Sequence, residues 1–144
     1  MSSVALQGAA AFLAIIGFSF IQDVPRKFLF FSGAAAGAAW LAYLLALRAG
    51  LPVTGAAFLS SLAASVLSHL FARLRKAPVT VFLVGGILPA VPGASIYRCV
   101  YYTTQGDAGQ SSFYLMQTLQ IAGAMALAIF IVDSIFRFLQ KKQG

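Results

Sequence analysis

The residues of this chain that could do chemistry gather between Lys76 and Arg98, where an apolar run is interrupted by Gly85, Gly86, Pro89, Pro92 and Gly93. Proline lacks a backbone donor and its ring collides with the preceding turn, so a helix cannot pass through Pro89 and Pro92 unbroken. If the run lies in a membrane, backbone left unpaired at the break must face protein or a wetted cavity. A second half-helix is expected after Pro92 and Gly93, with the amides of Ala94, Ser95 and Ile96 free at its N-terminus, where the helix dipole favours negative charge. The Ser95 hydroxyl and the Arg98 guanidinium, one turn on, complete a set of donors suited to a carboxylate, which a guanidinium can hold at two points. The competing reading is a plain kink, with Arg98 reaching the outer interface beside Tyr97, Tyr101 and Tyr102.

Two further groups of polar residues lie outside this run. At about 100° per residue, Thr54, Ser61, Ser65 and Ser68 share a narrow helical arc with Ala57, Ala64 and Ala72 beside them, while Phe58, Leu62, Leu70 and Leu74 point elsewhere. Such a stripe should face protein, either as a small-residue seam between helices or as part of a solute path that Ser61 and Ser65 would line. His69 and Asp133 are the titratable groups nearest the inner ends of their apolar runs, with Asp23 next, and are candidates for proton coupling. Simpler roles for them are an interfacial histidine and an ion pair between Asp133 and Arg137, four residues apart on one face. Gly33 and Gly37 have the spacing that lets membrane helices approach closely.

Catalysis finds little support. One histidine, three acidic residues and the single Cys99 leave no HExxH, no paired carboxylates, no calcium loop and no CxxC. No catalytic residue, metal site or cofactor is therefore expected.

These side chains must be positioned by helices in lipid. The chain is 60% hydrophobic and 9% charged, with mean hydropathy +0.89, whereas soluble domains are roughly one-quarter charged. Charges and turn residues divide its 144 residues into runs of the roughly 20 residues that cross a bilayer. The expected architecture is all-α: one polytopic transmembrane domain over 1–144, with spans at about 4–21, 28–47, 51–72, 79–104 (broken) and 113–137. The first run lacks a basic leader and a small-residue cleavage site, so it reads as a retained span.

The net charge of +7 does not signal nucleic acid, because the basic residues cluster by membrane side. Five crossings place Arg26, Lys27, Arg73, Arg75, Lys76, Arg137, Lys141 and Lys142 on one side and Arg48 on the other. The positive-inside rule then puts the N-terminus outside and the C-terminus in the cytoplasm of a cell (inner or plasma) membrane. A fourth run that failed to cross would erase this asymmetry, which favours a broken but spanning helix.

The order of features resembles the threonine/serine exporter family, in particular its small, YjjB-like membrane subunit. The resemblance rests on Val24-Pro25-Arg26 closing the first span, a Gly/Ala-rich second span ending in Trp40 and Tyr43, Lys76-Ala77-Pro78, and Ile87-Leu88-Pro89-Ala90-Val91-Pro92-Gly93 followed by Tyr97. Ala90 stands where such proteins usually carry leucine. The resemblance implies a secondary exporter of small polar carboxylates, either threonine and serine or a succinate-like dicarboxylate. It also implies a larger YjjP-like membrane subunit as partner, with a homo-oligomer as a further arrangement. The rival readings are a non-transporting scaffold or assembly subunit, and a passive channel.

Overall fold

Proline sets where the central helices begin. The computed structural model describes residues 2–141, and these form helices and short turns only. Helix α1 (Ser2–Ile21) is followed by α2 (Arg26–Arg48) and α3 (Val53–Arg75), whose first turns are preceded by Pro25 and Pro52. A proline there gives up a donor that no helical carbonyl could have met, and its fixed φ leads the chain into the helix. α3 ends at Lys76, whose left-handed backbone turns the Ala77 amide back onto the Ala72 carbonyl at 3.1 Å. Then come α4 (Thr80–Ile87), a single 3-10 turn (Leu88–Ala90), α5 (Gly93–Thr104) and the long α6 (Ala108–Lys141).

The fourth apolar run is broken, as its prolines require. Val91, held off the helical region by the proline that follows it, is extended at φ −59° and ψ 134°, and the two halves meet at 51°. Four helices are long and apolar enough to cross a membrane, or five if the bent pair is one span. At 1.5 Å per residue, the 34 residues of α6 extend roughly 51 Å, well beyond the ~30 Å of hydrocarbon.

α2 lies at the centre, touching α1, α3 and α4, while α6 packs along α3 and α5 leans on α6. Small residues permit the closest approaches. A side chain at Gly37 would meet the Gly8 carbonyl of α1 at 3.3 Å, and one at Gly85 would run into Ser32 of α2 and Ile15 of α1. Gly33 and Gly37 thus form the seam their spacing predicts. Phe82 is fully buried against Phe28, Phe31 and Phe71 in edge-to-face contacts, a geometry that adds to simple burial.

The outside of the bundle is apolar, with Leu6, Ile21 and Phe138 among its most exposed side chains, as expected where lipid replaces water. The basic residues of three helices meet at one end. Arg75 donates to the Lys27 carbonyl at 3.4 Å and lies over Phe31, while Arg73 lies over Phe136. Arg48 stands at the opposite end of α2. Lys142, counted with the basic cluster, falls outside the described residues.

Candidate functional site

The break opens onto a cavity of about 310 Å³. Its walls come from the break itself (Pro89 to Pro92), the first turns of α5 (Ala94, Ser95, Arg98), Trp40 and Tyr43 of α2, Val53 and Ala57 of α3, and Gln117 and Ile121 of α6. Gly93 contributes the first residue of α5. The expected half-helix is therefore present, but with fewer free donors than anticipated. The Ile96 amide is taken by the Pro92 carbonyl at 3.0 Å, and the Gly93 amide by Val91 at 2.8 Å. Ile96 already stands one full turn in, where the ordinary helical bond forms. Ala94 and Ser95 keep amides without a backbone acceptor among the described residues.

The polar side chains of this cavity are arranged by one bond. Ser95 Oγ donates to Gln117 Oε1 at 2.9 Å, so the hydroxyl proton is held rather than offered to the cavity. Fixing the amide oxygen leaves the Gln117 NH₂ group, with two donors, free of any acceptor among the described residues. Arg98 is exposed, with its guanidinium over the Tyr114 ring at 5.4 Å and Nη1 3.5 Å from Tyr114 Oη. Both ion pairs among the described residues belong to Asp133, so Arg98 has no carboxylate partner there. The cavity thus gathers a cation, a side-chain amide and two helix N-terminal amides, all donors, at the low end of ligand-pocket size.

A second cavity, of about 470 Å³, lies toward the basic end and is lined by His69, Val79, Thr80, Leu83, Ala126, Ile129, Phe130 and Asp133. The structure brings the two coupling candidates together: His69 Nε2 is 3.6 Å from Asp133 Oδ1, while Arg137 Nε is 2.7 Å from Asp133 Oδ2. The ring of His69 stacks on Phe136 at 4.5 Å. Asp23 is in a turn with left-handed backbone and does not join this group.

Between the cavities runs the serine stripe of α3. Ser61, Ser65 and Ser68 are fully buried, with Ala57 and Ala64, so the stripe faces protein. Its hydroxyls are not equivalent. Ser68 donates to the Ala64 carbonyl at 2.7 Å, Ser60 to Ala39 of α2 at 2.8 Å, and Ser19 to Ser32 at 3.3 Å. Ser61 and Ser65 alone among the described buried hydroxyls have no partner, at a cost of about 1–3 kcal/mol each.

Sequence reasoning missed Gln117 as the partner of Ser95, and missed Trp40, Tyr43 and Ile121 as cavity walls. A readable signal existed in α6, where Gln117, Ile121, Met125, Ile129 and Asp133 recur every fourth residue, tracing one face of the helix.

An all-helical arrangement of the described residues with several membrane-length helices, one of them broken beside a cavity, defines a multi-pass membrane protein of the kind in which broken helices line solute sites. A family model described as Threonine/Serine exporter, ThrE, matches residues 7–135, and the chain belongs to that family. The family is one of transporters rather than enzymes. No curated protein and no solved structure matches the chain.

Proposed function

We propose that this chain is the small subunit of a secondary exporter of small polar carboxylates, with threonine, serine and succinate-like dicarboxylates as the substrate class. The observation that carries the reading is the cavity at the break, where Arg98, with no carboxylate partner among the described residues, converges with Gln117 and the Pro92-Gly93-Ser95 turn. A carboxylate only accepts hydrogen bonds, and the Arg98 guanidinium, the Gln117 NH₂ group and the Ala94 and Ser95 amides can all donate. Ser61 and Ser65 supply polar surface deeper along α3, and Asp133 with His69 serves proton coupling at the inner cavity. The single polytopic domain has its N-terminus outside and C-terminus in the cytoplasm, because the basic ends of α2, α3 and α6 lie together. A larger YjjP-like membrane subunit completes the exporter.

Counterflow tests this. The chain is reconstituted in vesicles with and without the co-expressed larger subunit, and exchange of labelled threonine, serine and succinate is followed with and without a proton gradient. Saturable exchange with the partner present, accelerated by the gradient, is expected. Assembly without exchange of any acid identifies a scaffold, and non-saturable flux indifferent to the gradient identifies a channel.

A further inference from the structure

Between the two cavities, whose Ala57–Ile121 and His69–Asp133 walls lie roughly 18 Å apart along α3 and α6, stands a buried apolar layer. Ala57, Ala90, Ile121 and Met125 form a buried apolar cluster, and three of these residues are also the floor of the cavity at the break. One turn along α3 from Ala57 comes Ser61, then Ser65, and one turn beyond that His69 lines the inner cavity with Asp133. α3 and α6 keep a single register through this stretch. Ala57 clusters with Ile121 and His69 reaches Asp133, with equal four-residue steps on both helices between them. Ser61 and Ser65 accordingly stand at the levels of Met125 and Ile129.

We propose that Ala57, Ala90, Ile121 and Met125 are the outer gate of the solute path, that Met125 is the side chain that moves, and that the hydroxyls of Ser61, level with it, and Ser65, one turn behind it, are the polar station. The inference rests on the transport reading above and assigns its gate. Alanine has no rotamer to change, and Ile121 is stiff because a helix leaves β-branched side chains one preferred rotamer. Met125 is unbranched with three rotatable bonds, so it can leave the layer without backbone movement. These two hydroxyls are buried and have no partner among the described residues, while the neighbouring Ser60 and Ser68 are both bonded to backbone. A polar solute or water admitted past Met125 would satisfy what the closed state leaves open.

Cysteine accessibility tests the gate independently of the anion site. In a Cys99→Ser background, Ser65→Cys is exposed to a charged, membrane-impermeant thiol reagent from the outer side, with Val53→Cys at the cavity wall as a folding control. Ser65→Cys should react slowly at rest. Open states of this kind are populated at roughly 0.1–10%, so Met125→Ala should raise its labelling about tenfold or more, while the volume-conserving Met125→Leu stays closed. Unchanged protection in Met125→Ala, with Val53→Cys reacting normally, overturns the gate. If Met125→Ala fails the Val53→Cys control, Ser65→Cys with Met125 intact is labelled during threonine or succinate counterflow: acceleration supports the gate and continued protection overturns it. Should Arg98→Gln retain full exchange while Met125→Ala opens Ser65→Cys, the carboxylate site fails and the gate stands.

Discussion

Ser95 Oγ donates to Gln117 Oε1 at 2.9 Å, joining the half-helix beyond the break to α6. The bond fixes the distance between two walls of the cavity and turns the Gln117 amide so that its N–H groups are unengaged. On the proposed reading, Gln117, oriented by Ser95, is the side-chain amide that would meet a bound carboxylate, and Ser95 would act chiefly through it.

From this follows an order of effects. Gln117→Ala removes two donors from the cavity, whereas Ser95→Ala only frees the amide to rotate. A neutral hydrogen bond is worth about 0.5–1.5 kcal/mol net, so Ser95→Ala should weaken half-saturation of counterflow by a few fold. Gln117→Ala should weaken it more. The reverse order would place the Ser95 hydroxyl, not the amide, against the solute.

At Arg98, charge and shape can be separated. Arg98→Lys keeps the cation but loses the planar fork that holds a carboxylate at two points. Half-saturation should rise for Arg98→Lys and exchange should fall below detection for Arg98→Gln, with both variants reaching the membrane at wild-type levels. Equal loss in both would mean that the fork, rather than the charge, is required.

Asp133 contacts two bases, His69 and Arg137. The Arg137 side chain is largely exposed, so this pair contributes no more than about 1 kcal/mol to stability. Asp133→Asn should therefore unfold in detergent at nearly the wild-type temperature. Acceleration of counterflow by a proton gradient should nevertheless disappear. Retained gradient dependence would remove Asp133 from the coupling path.

Gly85 offers a structural check. A Cβ there would run into Ser32 and Ile15, and overpacking of this kind costs about 1–3 kcal/mol. Gly85→Ala should lower thermal stability in detergent, and adding Ser32→Ala should recover part of the loss.

The fold was largely legible because lipid imposes simple rules. Span length follows from the thickness of the hydrocarbon, charge placement from the positive-inside bias and the break from the donor and the space that Pro89 and Pro92 deny a helix, and those rules act residue by residue. The candidate site was legible only where one segment carries it. Pro92, Gly93, Ser95 and Arg98 share a half-helix and could be read together, but Gln117 reaches them from α6, and no local pattern announces which glutamine faces which serine. His69 and Asp133 were each visible as titratable groups near span ends. Their contact depends on the register of α3 against α6, which is set by side-chain packing along both helices. The unpartnered state of Ser61 and Ser65 was equally hidden, since a serine stripe looks the same whether its hydroxyls are bonded, as in Ser68, or not.

The central claim is that a small carboxylate binds at the break through Arg98, and equilibrium binding measures it most directly. Labelled threonine and succinate are titrated onto the purified two-subunit complex, wild type and Arg98→Gln, each verified as folded by its unfolding temperature. The account predicts saturable binding of at least one acid to wild type, its competition by other small carboxylates, and its loss in Arg98→Gln. Undiminished binding by folded Arg98→Gln would contradict it.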